Sequence, residues 1–228
     1  MTLNEFRTRI KLEVPNIGQS GLTDAQIDNL INQAPNHINR LTKVYKTSTD
    51  FNIVAEQQVY QLSSVAPTYL DMDKQGAFFL DSNSDFQYMY PKTFAWINET
   101  YPNWINADSV AIPTYYWVDG DDIGFYPKPS TALTNGCRIY HLKSATAMDN
   151  NGNYPWNNTT SEIKALQALD DAIIAYVRWK LSPSFGQNTD ADIMERHFIT
   201  ECRKGAMQVR RRRDLTLDFD YRMRLDNV

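Results

Sequence analysis

The chain has 228 residues, 42% hydrophobic and 22% charged, which is enough to bury a full core and ordinary for a globular protein. Its formal charge of −4 argues against wholesale binding to nucleic acid or membrane. No run of about 18 apolar residues occurs, so no membrane span is expected, and the charged start MTLNEFRTRIKLEV is unlike a signal peptide.

The first helix opens on TLNE, where Thr2 and Glu5 have capping-box spacing, and Leu3, Phe6 and Ile10 follow at helical intervals up to Pro15. A second box, Thr23 to Gln26, opens a stripe of Ile27, Leu30, Ile31, Ala34, Ile38 and Leu41. Pro35 lies inside that stripe and predicts a kink or break near Ala34. The two helices read as an antiparallel hairpin. From Phe51 the period shortens: FNIVAEQQVYQL alternates like strand with a polar bend, and GAFFL and FQYMY are short aromatic runs. KTFAWINETYP reads as a short helix ending at Pro102. In PTYYWVDGDDIGFYPKP, two β-rich runs at 115–118 and 123–126 flank Asp-Gly turn chemistry, the strongest hairpin signal in the chain. GCRIYHLKSA adds one more strand.

A polar loop, MDNNGNYPWNNTTSE, leads to a third helix capped by Thr160 or Ser161, with Ile163, Leu166, Leu169, Ile173, Val177 and Leu181 in one stripe. A fourth helix spans about 190–209, with Met194, Phe198 and Cys202 inward. The fold class that results is α+β. Residues 1–50 form an N-terminal helical hairpin and 149–209 a C-terminal one, the two completing a four-helix bundle. Residues 51–148 form an inserted antiparallel β-rich domain, and 210–228 an extended C-terminal arm.

The arm begins with Arg210, Arg211, Arg212 and Arg213 and continues with Leu215, Leu217, Phe219, Tyr221, Met223 and Leu225 alternating with polar residues. Residues 206–228 hold six arginines and four aspartates, or +2, so the rest of the chain carries −6. Unbroken period-two alternation marks a strand with one face to bury. Either the arm folds back on its own β domain, or it docks on a neighbouring subunit or another protein by adding a strand. The arginines then form its junction.

Catalytic chemistry is not visible. His37, His141 and His197 are scattered and form no metal pair. Cys137 and Cys202 lie far apart without metal spacing, as in a reduced, cytosol-made protein. DGDD at 119–122 and DNNGN at 149–153 lack the ligand series of a calcium loop and read as turn and loop. No glycine-rich phosphate loop or nucleophile elbow occurs, and no cofactor is expected. The aromatics Trp96, Trp104, Tyr115, Tyr116, Trp117, Phe125 and Tyr126 either stack on sugars or fill a core or a subunit interface.

Three stretches together resemble the head-to-tail adaptor (connector) proteins of podovirus-like tailed phages, crAss-like phages included. They are the opening helix pair followed by FNIVAEQQVYQLSS, the hairpin PTYYWVDGDDIGFYPKP, and the late pair EIKALQALDDAIIAYVRWKL and DADIMERHFITECRKG. Residues 70–109 match least. The resemblance implies a non-enzymatic virion protein at the head–tail junction, made in the host cytoplasm. It implies a homo-oligomeric, twelvefold ring joining portal protein to tail nozzle, with genomic DNA passing through the lumen without sequence-specific contact. The hairpin residues Tyr115, Trp117, Phe125 and Tyr126 would meet the tail or a neighbouring subunit. The alternative is a carbohydrate-binding or receptor-binding tail module built on the same aromatics; a nucleic-acid binder using the arginine run is a third reading.

Overall fold

A computed structural model describes residues 1–14, 22–81, 83–104, 110–149, 154–156, 166–182 and 188–212. The chain divides into two compact units, Met1–Val44 with Ala145–Val228, and Tyr45–Ser144. The fold is α+β, as the changing periodicity predicts.

In the helical unit, α1 (Leu3–Glu13) and α2 (Asp24–Thr42) both start in capping boxes: the Thr2 and Thr23 hydroxyls accept from the N–H groups of Glu5 and Gln26, and those side chains reach back. Leu3, Phe6 and Ile10 are the buried stripe of α1. Of the kink or break expected near Ala34, the break does not occur: α2 continues through Pro35 as one helix. Proline inside a helix costs roughly 3 kcal/mol. Here the ring is buried between Ala34 and Ile38, and that burial offsets part of the lost hydrogen bond.

A 3₁₀ turn, Gln167–Leu169, leads into α5 (Asp170–Leu181), in which every residue from Ala172 to Val177 is buried. A helix buried around its whole circumference must lie at the centre of its unit, and α5 packs against α1, α2 and α6 (Asn188–Arg212). Phe198, Cys202, Ala206 and Val209 are buried on α6. Gly205 belongs to the same face, since a Cβ there would lie 2.6 Å from the Ala168 carbonyl oxygen. The charged surfaces interlock: Arg7 donates to both carboxylate oxygens of Asp28 at 2.9 and 2.5 Å, and Arg9 bridges Glu13 at 2.6 Å and Asp171 at 2.8 Å. Half-buried His37 sits among the rings of Tyr176, Trp179 and Phe198, with centroids 5.3, 6.0 and 5.8 Å away.

The β unit is a seven-stranded sheet in the order β1-β9-β3-β4-β6-β7-β2. Its strands are β1 (Lys46–Ile53), β2 (Val59–Gln61), β3 (Tyr69–Leu80), β4 (Phe86–Pro91), β6 (Tyr115–Asp119), β7 (Asp122–Tyr126) and β9 (Leu133–Lys143). Short helices α3 (Leu62–Val65) and α4 (Phe94–Thr100) and a two-stranded pair, β5 (Val110–Ala111) with β8 (Lys128–Pro129), complete the unit. The stretch FNIVAEQQVYQL splits between β1 and β2, which occupy opposite edges of the sheet.

Those edges nevertheless share one core. Phe51 of β1 lies 5.5 Å from the Tyr60 ring of β2 and 6.3 Å from Phe125 of β7, and the Val54 N–H donates to the Tyr60 hydroxyl oxygen. The sheet therefore curls until its ends meet. Within the seven-stranded sheet pairing is antiparallel except at β4–β6, where Tyr90 and Pro91 face Tyr115 and Tyr116 in parallel, and the β5–β8 pair is parallel too, so the β unit is mixed rather than wholly antiparallel. A parallel pair requires a crossover, and the connection from 92 to 114 that contains α4 supplies it.

Two outcomes follow. Phe51→Ala should destabilise the β unit by about 3–5 kcal/mol, read as a lowered midpoint in urea; an unchanged midpoint would show that the edges are not held by this cluster. The second concerns acid. Burial first, then the Lys180 and Arg40 charges, hold the His37 pKa below its ordinary value, with Glu195 opposing. As pH falls below about 6.5 the unfolded chain protonates first, so stability is lost from there down through the folded pKa. His37→Phe should flatten the fall in melting temperature between pH 7 and 5. It should not abolish it, because buried His141 carries the same sign.

Candidate interaction surface

Side chains along a strand alternate between faces, and the register decides which aromatics leave the core. Ala77, Phe79, Met89, Tyr116, Phe125, Cys137 and Ile139 point inward to one buried cluster. Their neighbours point outward and line up across strands: Phe78 opposes Tyr88, Tyr90 opposes Tyr115, and Tyr115 opposes Tyr126.

The result is a continuous ladder of eight rings. Tyr140 contacts Phe78 at 5.6 Å, Phe78 contacts Tyr88 at 5.4 Å, Tyr88 contacts Tyr90 at 5.4 Å, and Tyr90 contacts Tyr115 at 6.5 Å. Tyr115 contacts Trp96 at 5.3 Å, Trp96 contacts Tyr101 at 5.9 Å, and Tyr101 stacks on Tyr126 at 4.1 Å. Four of these seven contacts are edge-on, with interplanar angles of 71–84°. That is the geometry aromatic quadrupoles prefer. Tyr88 and Tyr90 are 42% and 57% exposed. A cation caps one ladder ring, with Lys92 Nζ 4.2 Å from the Trp96 ring centre, and outside the ladder the Arg138 guanidinium lies 4.3 Å from the ring centre of Phe86. Arg138 also donates twice, at 2.7 Å each, to Asp50, which holds that carboxyl below its usual range.

One end of this outer face has a roof. Trp117 points outward but is covered by Ile97 of α4 and by Trp104, whose ring meets it at 4.9 Å. It lies flat over Gly124, where a Cβ would come within 2.1 Å of its ring. Of the four hairpin residues read from sequence, Tyr115 and Tyr126 thus belong to the ladder, Trp117 is roofed, and Phe125 faces the core. Tyr116 and Trp104 are buried as well. Tyr88, Tyr90 and Lys92 were missed, although FQYMY carries period-two aromatics at Phe86, Tyr88 and Tyr90.

At the other candidate site, α6 continues through Arg210, Arg211 and Arg212, so the arginine run begins as helix rather than extended arm. Arginine is a good helix former, and cations suit a helix C-terminus. Arg213, Leu215, Leu217, Phe219, Tyr221, Met223 and Leu225 lie outside the described residues.

The titratable groups are in structural use. Burial pushes the Cys202 thiol up to about 12 and the Cys137 thiol well above its ordinary value, so neither is a thiolate at neutral pH. Asp121 of the DGDD turn accepts from the Ser63 N–H at 2.9 Å and from the Ser63 hydroxyl, tying the hairpin to α3. Buried His141 bonds the Thr49 hydroxyl at 3.0 Å. Among the described residues no cluster of His, Cys, Asp or Glu has the makings of a metal site, and no helix is long and apolar enough to cross a membrane.

The outward aromatic ladder is the distinctive surface of this α+β chain. Its family is shown by the match of residues 1–220 to the model described as SU10 adaptor protein, and the chain belongs to that family. It is therefore a phage structural adaptor, a virion protein whose partners are other virion proteins such as portal and tail. No curated protein matches it.

Placement of the rings has a direct check. Tyr90→Ala, at an exposed rung, should change folding stability by no more than about 0.5–1 kcal/mol, whereas Trp117→Ala should cost about 3–5 kcal/mol. Equal effects in urea denaturation would contradict the assignment of one to the surface and the other to the roofed core.

Proposed function

We propose that the chain is the head-to-tail adaptor of a podovirus-like tailed phage, crAss-like phages included, and forms a twelvefold ring between portal and tail nozzle with DNA passing through the lumen. In this reading the four long helices make a four-helix bundle and the β domain is inserted between its two hairpins. The aromatic face meets the nozzle or the neighbouring subunit. The C-terminal arm adds a strand to portal or to a neighbour, with Arg210–Arg213 at the junction.

The observation that carries the proposal is the outward ladder from Tyr140 to Tyr126 in a chain that matches an adaptor family nearly end to end. An open face with Tyr90 57% exposed gains most when a partner covers it. The arm adds an apolar row; burying Leu217, Phe219 and Tyr221 contributes about 1.5–3 kcal/mol each before ordering costs. A net charge of −4 suits a channel through which phosphate must slide without sticking. The carbohydrate reading loses support because Trp117 and Phe125 are buried and the rungs present edges to one another rather than free faces.

Purified protein mixed with portal should give twelvefold rings beneath the portal in cryo-EM class averages, and absence of co-assembly would sink the proposal. Deleting residues 215–228 should leave the fold intact, read by circular dichroism, and abolish assembly on portal. Tyr88→Ser with Tyr90→Ser should spare portal binding and weaken nozzle or inter-subunit contact at least tenfold. Glycan binding lost with Tyr115 and Tyr126 would favour the tail-module alternative.

A further inference from the structure

β1 ends the seven-stranded sheet, with β9 as its one strand neighbour among the described residues. From Phe51 onward the curl closes its far side, since Phe51 meets the Tyr60 ring and the Val54 N–H donates to the Tyr60 hydroxyl oxygen. The five residues before Phe51, KTSTD at 46–50, pair with β9 in continuous register from Leu142 to Arg138. No described strand pairs with their other edge. Edge strands ordinarily discourage further pairing with a proline, a bulge or an isolated charge. This stretch has no proline, its irregularity comes only after Phe51, and it carries two charges of opposite sign.

The order of these residues says what fits the edge. Lys46, Ser48 and Asp50 are exposed and share one face, and half-buried Thr47 and Thr49 share the other. Reversed, the stretch reads DTSTK. An antiparallel second copy centred on Ser48 therefore sets Lys46 against Asp50, Thr47 against Thr49, and Ser48 against itself. Opposite charges and threonine pairs directly across from one another stabilise antiparallel strands, and like charges there destabilise them. A parallel copy would stack Lys46 on Lys46 and Asp50 on Asp50, and a one-residue slip would turn the charged face onto the threonine face. Both charges have bonding capacity left. Lys46 Nζ gives one of its three N–H groups to Asp73 at 2.7 Å, and Asp50 takes one Arg138 bond on each oxygen. Across the seam the row Arg138, Asp50, Lys46, Asp73 alternates in sign. Ser48 stands opposite Tyr140, the end rung of the ladder, so the same seam joins two ladders through a pair of small side chains.

We propose that two copies of the free protein pair through residues 46–50 of β1, antiparallel about a two-fold axis at Ser48, so that their two seven-stranded sheets become one. Five residues a side fall well short of the roughly 20–30 of a stable interface, so the dimer is weak, reversible and populated only at high protein concentration. A two-fold contact is self-complementary and closes on two subunits. It is therefore distinct from any neighbour contact in the proposed ring, and the inference takes nothing from that reading.

The axis supplies the test, on the full-length chain with no partner present. In sedimentation velocity the weight-average mass should rise with concentration from that of one chain toward that of two. Ser48→Asp and Ser48→Lys should each weaken the dimer at least threefold, by setting like charges across the axis, with an unchanged circular dichroism spectrum. An equimolar mixture of the two variants should restore it, because only at the axis does a residue face its own copy. Under mild oxidation Ser48→Cys should crosslink two chains at a rate that rises with concentration. Asn52→Cys, about 27 Å from its counterpart in this register, should not, and the natural cysteines are buried. A chain monomeric at every concentration would overturn the proposal. So would Ser48 variants that associate as the unaltered chain does, a mixture no tighter than its components, or crosslinking at 52 rather than 48.

Discussion

The meeting of Phe51, Tyr60 and Phe125 fixes the β unit, because it brings the two edges of a seven-stranded sheet onto one core. A sheet that curls this far buries one face completely. Period-two alternation then leaves no freedom on the other face: once Ala77, Phe79 and Met89 point inward, Phe78, Tyr88 and Tyr90 must point out. A one-residue slip in β4 would exchange Met89 for two tyrosines in the core. The surface ladder is thus a consequence of core closure, and its rings are placed by the sheet beneath them.

Some of this was legible in the sequence and some was not, for physical reasons. Both capping boxes, the 119–122 turn and the short helix before Pro102 are local chemistry, and the structure has α1, α2, the β6–β7 hairpin and α4 there. Long-range pairing leaves weaker marks. Nothing in FNIVAEQQVYQL says that its halves go to opposite edges of the sheet, because each half pairs with a strand far along the chain. Trp117 looked like a surface ring because its neighbour Tyr115 is one; only the roof of α4 and Trp104 separates them. Pro35 predicts a kink or break from backbone sterics alone; the helix does not break there, and the ring is buried.

The helical unit reaches its order differently. Its centre is α5, buried on every side from Ala172 to Val177, and the surrounding helices are aligned by charge pairs that join segments distant in sequence, such as Arg9 with Asp171. Pairs this exposed contribute little energy each; their value is in registering α1 against α5 once burial has brought the helices together. Gly205 serves the same end. It costs about 1 kcal/mol in helix propensity, and it lets α6 approach the 3₁₀ turn at Ala168 more closely than any side chain would allow. That close approach sets where the basic last turn of α6 lies within its unit.

For the contact role proposed above, an outer face of rings rather than charges has a thermodynamic logic. Lysine and glutamate side chains lose much rotamer freedom when an interface orders them, and the energy of their exposed pairs is screened by salt. Tyrosine has two side-chain torsions, and in this ladder five of the seven ring contacts are edge-on or stacked. Little entropy remains to be lost when a partner covers them, so most of the buried area counts toward association. The hydroxyls keep the uncovered face wettable.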